Sequence, residues 1–414
     1  MDLVIRNARL RGHDHPLDLA IRDGRITEIG ERIREGGPEE LDAGGRLLSP
    51  GFTNIHFHLD KCLTGTWAEV WEKASKGSPG AIPAATGVKE RFTEADILER
   101  GSRALSTSIA EGTTAIRAFG DVDSVGGLTS IKSLLRLKKQ FQDVIDLQVV
   151  AFPQEGIVRD EEAEELLERS MEMGADVVGA MPWYEKSQEA AREHTDVVFR
   201  IAKKYERDVH ALIDDTLDPS SRNIEYFLTK SVKEGYRGRV SASHCRGGLD
   251  SPDEGYARHI VELAREAEAT IVENPHVSLF MYGREDRHPV GRGVTRVKEF
   301  MRAGVNVAIG QDDVDDPYYP FGRGDMLELA LIMCHAAHLG TPEEIESSLD
   351  MITVNGARGM RLPGYGVRLG AYADLVLLDA GTVREALRLQ APRLKVLKRG
   401  RLVAETKTST ELHF

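Results

Sequence analysis

Two histidines stand two positions apart, at His56 and His58, shortly after a turn at Pro50-Gly51. On a β-strand, residues i and i+2 point to the same face, so both imidazoles would converge on one point while Phe57 packs on the other side. Neutral imidazole is the commonest metal ligand in proteins. The pair by itself fits a metal site, and it fits equally well two hydrogen-bonded histidines in a loop.

Three further polar sites lie within or directly after apolar runs. His210 lies in the run 207–212 and His244 ends the run 240–244, and each by itself also fits a hydrogen-bonded core histidine. The segment Gln311-Asp312-Asp313-Val314-Asp315-Asp316 follows the apolar run 305–309. Four carboxylates this dense repel one another unless a cation or hydrogen bonds compensate them, although an exposed acidic loop is the simpler alternative. Taken together and in this order, the signals predict a metal site.

Alternating apolar runs and amphipathic stretches predict the elements that hold these residues. Short apolar runs recur at 115–119, 146–151, 177–180, 208–212, 240–244 and 305–310, with helix-length segments such as 161–173 and 189–205 between them. Repeated β-then-α order predicts a parallel sheet, and about eight such units favour a (β/α)8 TIM-type barrel over residues 51–364. Catalytic residues of such barrels lie at the carboxyl ends of the strands, where these polar residues fall. The Gly/Pro/Ser-rich piece 75–87 is expected to be a long loop.

The two ends of the chain look alike. Asp23-Gly24 and Arg399-Gly400 each separate two short apolar runs, which is typical of β-hairpins. We predict one small β-sandwich domain assembled from residues 1–50 plus 365–414, because chain termini often lie close together. Two unrelated caps remain the alternative.

Composition restricts the partners. The formal net charge of -13 repels nucleic acid phosphates and anionic lipid headgroups, so a small-molecule substrate is expected, with no nucleic acid and no membrane. No apolar run approaches the length of a spanning helix, and the first residues do not resemble a signal peptide. The three cysteines contain no CxxC pair and suit a cytoplasmic location. A homo-oligomer stays open.

Longer segments resemble the amidohydrolase superfamily and, within it, the bacterial-type cytosine deaminase branch. The resemblance covers nearly the whole chain. Its most specific motifs are the segments 56–60 (HFHLD), 147–156 (LQVVAFPQEG), 174–180 (GADVVGA), 293–299 (GVTRVKE) and 312–320 (DDVDDPYYP).

The resemblance implies a role for each site residue. One divalent ion per chain, zinc or iron, would be held by His56, His58, His210 and Asp312. Asp312 would also take a proton from the water that the ion activates, and His244 would orient that nucleophile or stabilise the developing charge. The residues expected to contact a heterocyclic substrate are Gln154, Asp313 and Tyr318.

One position departs from the resemblance. Cytosine deaminases of this branch carry a proton-shuttling glutamate three residues after the third histidine, where this chain has Ile213. Either a local shift lets Asp214 act as the catalytic shuttle, or Asp312 alone carries the proton. Lys61, beside the histidine pair, is expected to contact an anionic substrate group or a neighbouring carboxylate such as Asp60.

The leading hypothesis is therefore a hydrolase of a C–N bond in a small nitrogen heterocycle, most simply a deaminase that releases ammonia. Because Ile213 cannot move a proton, cytosine itself is not expected to be the best substrate. Ring-opening of a cyclic amide or ureide is the first alternative. A metal-containing but catalytically silent binding protein is an alternative from another class.

Overall fold

The described part of the chain contains sixteen β-strands. In chain order they are β1 Leu3–Ala8, β2 Leu17–Arg22, β3 Arg25–Gly30, β4 Glu39–Asp42, β5 Leu48–Pro50, β6 Phe52–Phe57, β7 Thr113–Asp121, β8 Asp146–Phe152, β9 Val177–Ala180, β10 Asp208–Ile213, β11 Val240–His244, β12 Thr270–Glu273, β13 Asn306–Ile309, β14 Leu375–Leu378, β15 Arg393–Lys398 and β16 Arg401–Glu405. The computed structural model describes residues 2–34, 36–67, 78–250, 253–284, 286–287 and 290–413.

Strands β6 to β13 form one parallel sheet in chain order. A parallel bridge between Phe57 and Asp312 joins the first strand to the last, so the sheet closes on itself. The strands are buried on both faces, which explains their nearly continuous apolar runs. The predicted (β/α)8 barrel is confirmed.

Helices lie between the strands in the described part of the chain. They are α1 Ser78–Lys89, α2 Glu94–Ala110, α3 Thr129–Phe141, α4 Ala163–Glu172, α5 Gln188–Lys204, α6 Asn223–Lys233, α7 Glu254–Glu266, α8 Pro275–Met281, α9 Val297–Arg302, α10 Met326–Ala336, α11 Pro342–Met351, α12 Val354–Gly359 and α13 Val383–Leu389. Helix α5 is an example of how local sequence forms these helices. Ser187 caps its start by accepting a hydrogen bond from the Ala190 amide, and its apolar face is buried.

Two four-stranded sheets come from the ends of the chain, in the orders β3-β2-β1-β4 and β16-β15-β14-β5. Both predicted hairpin turns form. Asp23 and Gly24 have φ of 50° and 72°, and Arg399 and Gly400 have φ of 49° and 75°. Positive φ at both central residues matches the twist of the flanking strands. One buried apolar cluster contains residues from both sheets, as expected for a shared sandwich core. The exact domain boundaries stay predictions.

One local expectation was wrong. The predicted loop 75–87 is helical from Ser78, where α1 begins, and residues 75–77 lie outside the described part of the chain. Ile82 of this helix reaches the cavity described below, so the segment does cover the site, but as a helix. Among the described helices, none has the length and apolar character needed to cross a bilayer.

Candidate active site

Three side chains meet where β6 and β13 come together. His56 Nε2 and His58 Nε2 lie 3.2 Å and 3.4 Å from the same oxygen, Asp312 Oδ1, and the two nitrogens are 3.3 Å apart. Two ligands of a tetrahedral ion, each about 2.1 Å from it, are about 3.4 Å apart. The three atoms therefore have the spacing of neighbouring ligands around one small divalent cation.

His210 approaches the same cluster from β10. Its Nε2 lies 3.3 Å from His56 Nδ1 and contacts Ser243 Oγ, which is itself 2.8 Å from His56 Nδ1. His210 therefore adjoins the cluster, but its Nε2 faces Nδ1 of His56 and not the Nε2 that lies beside His58 and Asp312.

The protonation states suit metal binding. Burial, together with the ammonium of Lys61, lowers the pKa of His58 well below its usual range. Burial and the neighbouring imidazole of His56 do the same to the pKa of His210. Burial alone would raise the pKa of Asp312, but the surrounding imidazoles outweigh it and lower that pKa. Neutral imidazoles and an ionised carboxylate are the forms that bind a metal ion, and this donor set fits zinc or iron.

Backbone geometry places Asp312 against the two histidines. The Asp312 amide donates to His56 O at 2.7 Å, and the His58 amide donates to Asp312 O at 2.8 Å. Asp312 has φ of 60°, a left-handed conformation that aspartate tolerates better than most residues. At Gly310 an added Cβ would lie 2.5 Å from His56 Cβ, so glycine permits this close approach of β13 to β6.

His58, His244 and Asp312 line a cavity that opens to solvent. Its other polar lining residues are Gln154, Asp215, Arg246, Asp313, Tyr282 and Tyr318, and its apolar ones are Ile82, Met181, Trp183, Leu212, Val277 and Met281. A largely apolar cavity with a few convergent polar groups is typical of a small-molecule site.

The predicted substrate-contacting residues share one part of this cavity. Gln154 Nε2 donates a hydrogen bond of 3.0 Å to Tyr318 OH. Asp313 is buried, and its Oδ1 has no hydrogen-bond partner among the described residues. Burial and the carboxylates of Asp316 and Asp312 raise the pKa of Asp313 well above its usual range. The three side chains together offer donors and acceptors to a polar ring.

His244 stands at the end of β11 and faces Asp312. Its Nε2 lies 3.9 Å from Asp312 Oδ2. Burial is the main cause that lowers its pKa to about 4, so the ring is neutral at pH 7. The side chain can therefore contact the reacting atoms without carrying a charge of its own.

The structure corrects the prediction that Lys61 contacts an anionic substrate group. Lys61 is fully buried and does not line the cavity. Its Nζ lies 2.5 Å from Asp121 Oδ1 and 3.5 Å from Asp60 Oδ1. The second option foreseen for this lysine, pairing with a nearby carboxylate, is the one found, with Asp121 as the closer partner.

The structure also corrects the prediction that Asp214 is a catalytic shuttle. Its carboxylate accepts hydrogen bonds from Ser221 Oγ, from Asn223 Nδ2 at 2.7 Å and from the Ile224 amide at 2.9 Å. These contacts tie Asp214 to the start of α6. A carboxylate with both oxygens engaged there cannot serve the cavity on the opposite side of the strand.

Asp215, which sequence reasoning missed, reaches the cavity instead. Asp214 has φ of 49°, and this left-handed residue breaks the alternation of β10. Leu212 lines the cavity, whereas Ile213 belongs to the buried apolar core between the barrel and its helices. No local sequence signal distinguishes Asp214 from Asp215, because both are aspartates and the turn depends on tertiary contacts.

Two other missed residues are Arg246 and Trp183. Arg246 stands two positions after His244, and this spacing was the one signal that could have placed it beside the histidine. Trp183 lies in a short 3₁₀ turn, Pro182–Tyr184, after β9, and only the tertiary structure brings it to the cavity.

Known proteins are similar to this chain in sequence and in fold. The amidohydrolase family pattern matches residues 85–404. The chain is 32% identical to the N-isopropylammelide isopropyl amidohydrolase of Pseudomonas sp. (strain ADP), over 98% of this chain and 97% of that protein. It is 29% identical to the pterin deaminase of Rhizobium rhizogenes, over 93% and 87% of the two chains.

A solved structure is similar along the whole chain. The crystal structure of 5-methylcytosine deaminase from Klebsiella pneumoniae with 5-fluorocytosine has a TM-score of 0.93 and 33% sequence identity, and covers 99% of both chains. The predicted superfamily and the predicted class, hydrolases that act on C–N bonds, are both confirmed. The chain belongs to the amidohydrolase family.

Proposed function

We propose that this protein is a metal-dependent hydrolase that cleaves a C–N bond of a small nitrogen heterocycle, most simply a cytosine-deaminase-like aminohydrolase. The observation that carries the proposal is the cluster of His56, His58 and Asp312, with mutual distances of 3.2 to 3.4 Å at the wall of the cavity. The named relatives act on ammelide, pterin and methylcytosine rings, which supports a ring of similar size here.

The ion is proposed to be one zinc or iron per chain, held by His56, His58, His210 and Asp312. Such an ion, when bound, lowers the pKa of a water by many units and so supplies a nucleophile at neutral pH. The apolar ring of Phe119 stacks on His56 with centroids 4.1 Å apart. It shields the donor set from bulk water, which strengthens electrostatic interactions there.

Asp312 is proposed to move the proton. Its Oδ1 faces the imidazoles of His56 and His58, while its Oδ2 lies toward His244. Oδ2 is therefore the atom free to take a proton from the attacking water and to return it to the leaving nitrogen. The ring carbon gains oxygen, the C–N bond breaks, and ammonia or an amine leaves with that proton.

Substrate recognition is proposed to involve Gln154, Tyr318 and Asp313 at the ring edge. Leu212, not a carboxylate, faces the cavity two positions after His210. Leu212 cannot act as a second proton shuttle. The proposal therefore requires a substrate ring that is electron-poor enough for Asp312 to act alone.

The test is a product assay on the full chain loaded with zinc or with iron. Aminopyrimidines, aminotriazines, pterins, their N-alkyl derivatives and cyclic ureides are incubated with the enzyme, and ammonia, free amine and new carboxylate are measured separately. Release of ammonia or amine from a ring supports the proposal, and the Asp312→Asn variant should lower it by about 100-fold or more. Asp350→Asn is the control, because Asp350 is partly exposed, pairs with Arg11 and does not line the cavity.

The other outcomes are distinct. A new carboxylate without ammonia would replace the proposal by ring-opening of a cyclic amide or ureide. Metal bound without turnover of any ring would replace it by a catalytically silent binding protein. The cytoplasmic location and a homo-oligomeric state stay predictions, to be checked by fractionation and by light scattering.

A further inference from the structure

We propose that Arg246 is a positioning residue that holds His244 in the tautomer with its proton on Nε2, so that His244 faces the reacting atoms only as a hydrogen-bond donor. The inference deepens the proposed function and rests on it. It concerns a residue that neither the sequence motifs nor the metal cluster includes.

Arg246 is fully buried beside His244. Its Nη2 donates to His244 Nδ1 at 2.7 Å and to Ser278 Oγ at 2.9 Å. Its Nη1 donates to Asp215 Oδ1, and its guanidinium carbon lies 4.2 Å from the centre of the Tyr282 ring. A guanidinium held on three sides in this way has little freedom to turn away from the histidine.

The chemistry of guanidinium fixes the tautomer. Arginine stays protonated in proteins and carries donors but no acceptor. A nitrogen 2.7 Å from such a donor must accept, so Nδ1 of His244 carries a lone pair. Because a neutral imidazole has one N–H, the proton of His244 lies on Nε2.

A competing acceptor is present, but it is already engaged. Asp215 Oδ1 lies 3.5 Å from His244 Nδ1 and would favour a proton there. That oxygen accepts hydrogen bonds from Arg246 and, at 2.8 Å, from Tyr282 OH. Arg246 thus does two things: it donates to the histidine, and it occupies the carboxylate that would otherwise select the opposite tautomer.

The other side of the ring supports the same assignment. The side-chain amide of Asn274 lies 3.4 Å from His244 Nε2. Its Oδ1 is buried and has no hydrogen-bond partner among the described residues. Turning this amide by 180° exchanges its oxygen and nitrogen, which lets the oxygen accept from Nε2–H. An Nε2–H on His244 therefore satisfies an acceptor that otherwise stays unpaired.

The consequence for the reaction is a division of roles. His244 Nε2 also lies 3.9 Å from Asp312 Oδ2, and so beside the place where charge develops on the attacked ring. A fixed donor stabilises that charge but cannot accept the proton of the attacking water. The proton therefore passes to Asp312, the role already proposed for it.

The test reads the tautomer directly by ¹⁵N NMR of the full chain labelled at histidine, with the His244 signals identified by their loss in His244→Gln. The wild-type protein is expected to show a protonated Nε2 and an unprotonated Nδ1. In Arg246→Met the proton should move to Nδ1, toward Asp215. Asp215→Asn should keep the wild-type tautomer, because the guanidinium remains.

Two further variants complete the experiment. Arg246→Lys keeps a donor without an acceptor and should retain the tautomer. Arg239→Met is the matched control, since Arg239 also pairs with an aspartate, Asp208 at 2.8 Å, but stands just before β11, at the end opposite His244 and outside the cavity. On a substrate found in the product assay, Arg246→Met should lower kcat by about 100- to 1000-fold with little change in KM.

A protonated Nδ1 in the wild-type protein, or an unchanged tautomer in Arg246→Met, would overturn the proposal. If Arg246→Met does not fold, the double variant Asp215→Asn with Arg246→Met removes both charges of the ion pair and is judged by the same signals. If no ring is turned over, the proposed function fails, while the NMR result still decides the tautomer.

Discussion

Replacing Ile213 with glutamate separates two views of the missing shuttle. The resemblance to cytosine deaminases suggests that a glutamate here would restore proton transfer. In the structure, however, Ile213 is 0% exposed and belongs to the same buried apolar cluster as Ile224, Phe227 and Leu228. We therefore expect Ile213→Glu to destabilise the fold without adding a group to the cavity.

The magnitude follows from the burial. Loss of a fully buried isoleucine side chain costs about 2 to 3 kcal/mol. Burial of a carboxyl group without a partner costs roughly 1 to 3 kcal/mol more. The sum, about 3 to 6 kcal/mol, is a large part of the total stability of a domain, about 5 to 15 kcal/mol.

The loss should also depend on pH. Burial raises the folded-state pKa of the new carboxyl group above its unfolded value of about 4.3. Below that value both states are protonated, and as pH rises above it the unfolded state loses its proton first. The free energy of unfolding should therefore fall further between about pH 4 and pH 7, by about 1.4 kcal/mol per pH unit until the folded pKa is reached.

The assay is urea unfolding followed by circular dichroism at pH 5 and pH 7, with the deaminase assay in parallel. Ile213→Val is the matched control and should cost only about 1 kcal/mol. Leu212→Glu, whose side chain lines the cavity, tests a carboxylate that does face the substrate. A stable Ile213→Glu protein with raised ammonia release would refute the placement of Ile213 in the core.

Four further predictions follow from the site and its surroundings. Lys61→Ala should lower the free energy of unfolding by about 3 to 5 kcal/mol, because the buried Asp60 loses the ammonium beside it and Asp121 keeps only Lys89, 3.3 Å away. A rise in KM alone, on an otherwise stable protein, would instead support a substrate contact. Asp214→Ala should lower the melting temperature with little effect on KM, whereas Asp215→Asn should change KM, and steady-state kinetics beside thermal unfolding tell the two apart. Burial raises the pKa of Glu273 to about 7, so its contribution to stability is present below its unfolded pKa of about 4.5 and is lost as pH rises to about 7. Glu273→Gln should remove roughly 3 kcal/mol of this pH dependence. Equal slopes of unfolding free energy against pH in both proteins would contradict the assignment. Removal of metal by a chelator should abolish turnover and lower the melting temperature, and added zinc or iron(II) should restore both; full activity in metal-free protein would exclude the proposed site.

The sequence by itself determined the barrel and most of the cluster. Alternation along a strand is a local property, so His56 and His58 could be placed on one face without knowledge of the fold. Asp312 could be placed at the same end of the barrel, because it follows an apolar run and the order of strands and helices was clear. Asp23-Gly24 and Arg399-Gly400 formed the turns they predict, because turn chemistry acts within a few residues.

Only the tertiary structure decided which neighbouring polar residue reaches the cavity. A left-handed residue at Asp214 reverses the alternation, so Asp215 faces the cavity and Asp214 binds the start of α6. Lys61 is directed to Asp121 of the next strand, and Arg246 is held by partners from three separate segments. These choices depend on which buried charges can be compensated by groups distant in sequence, and local periodicity carries no information about that.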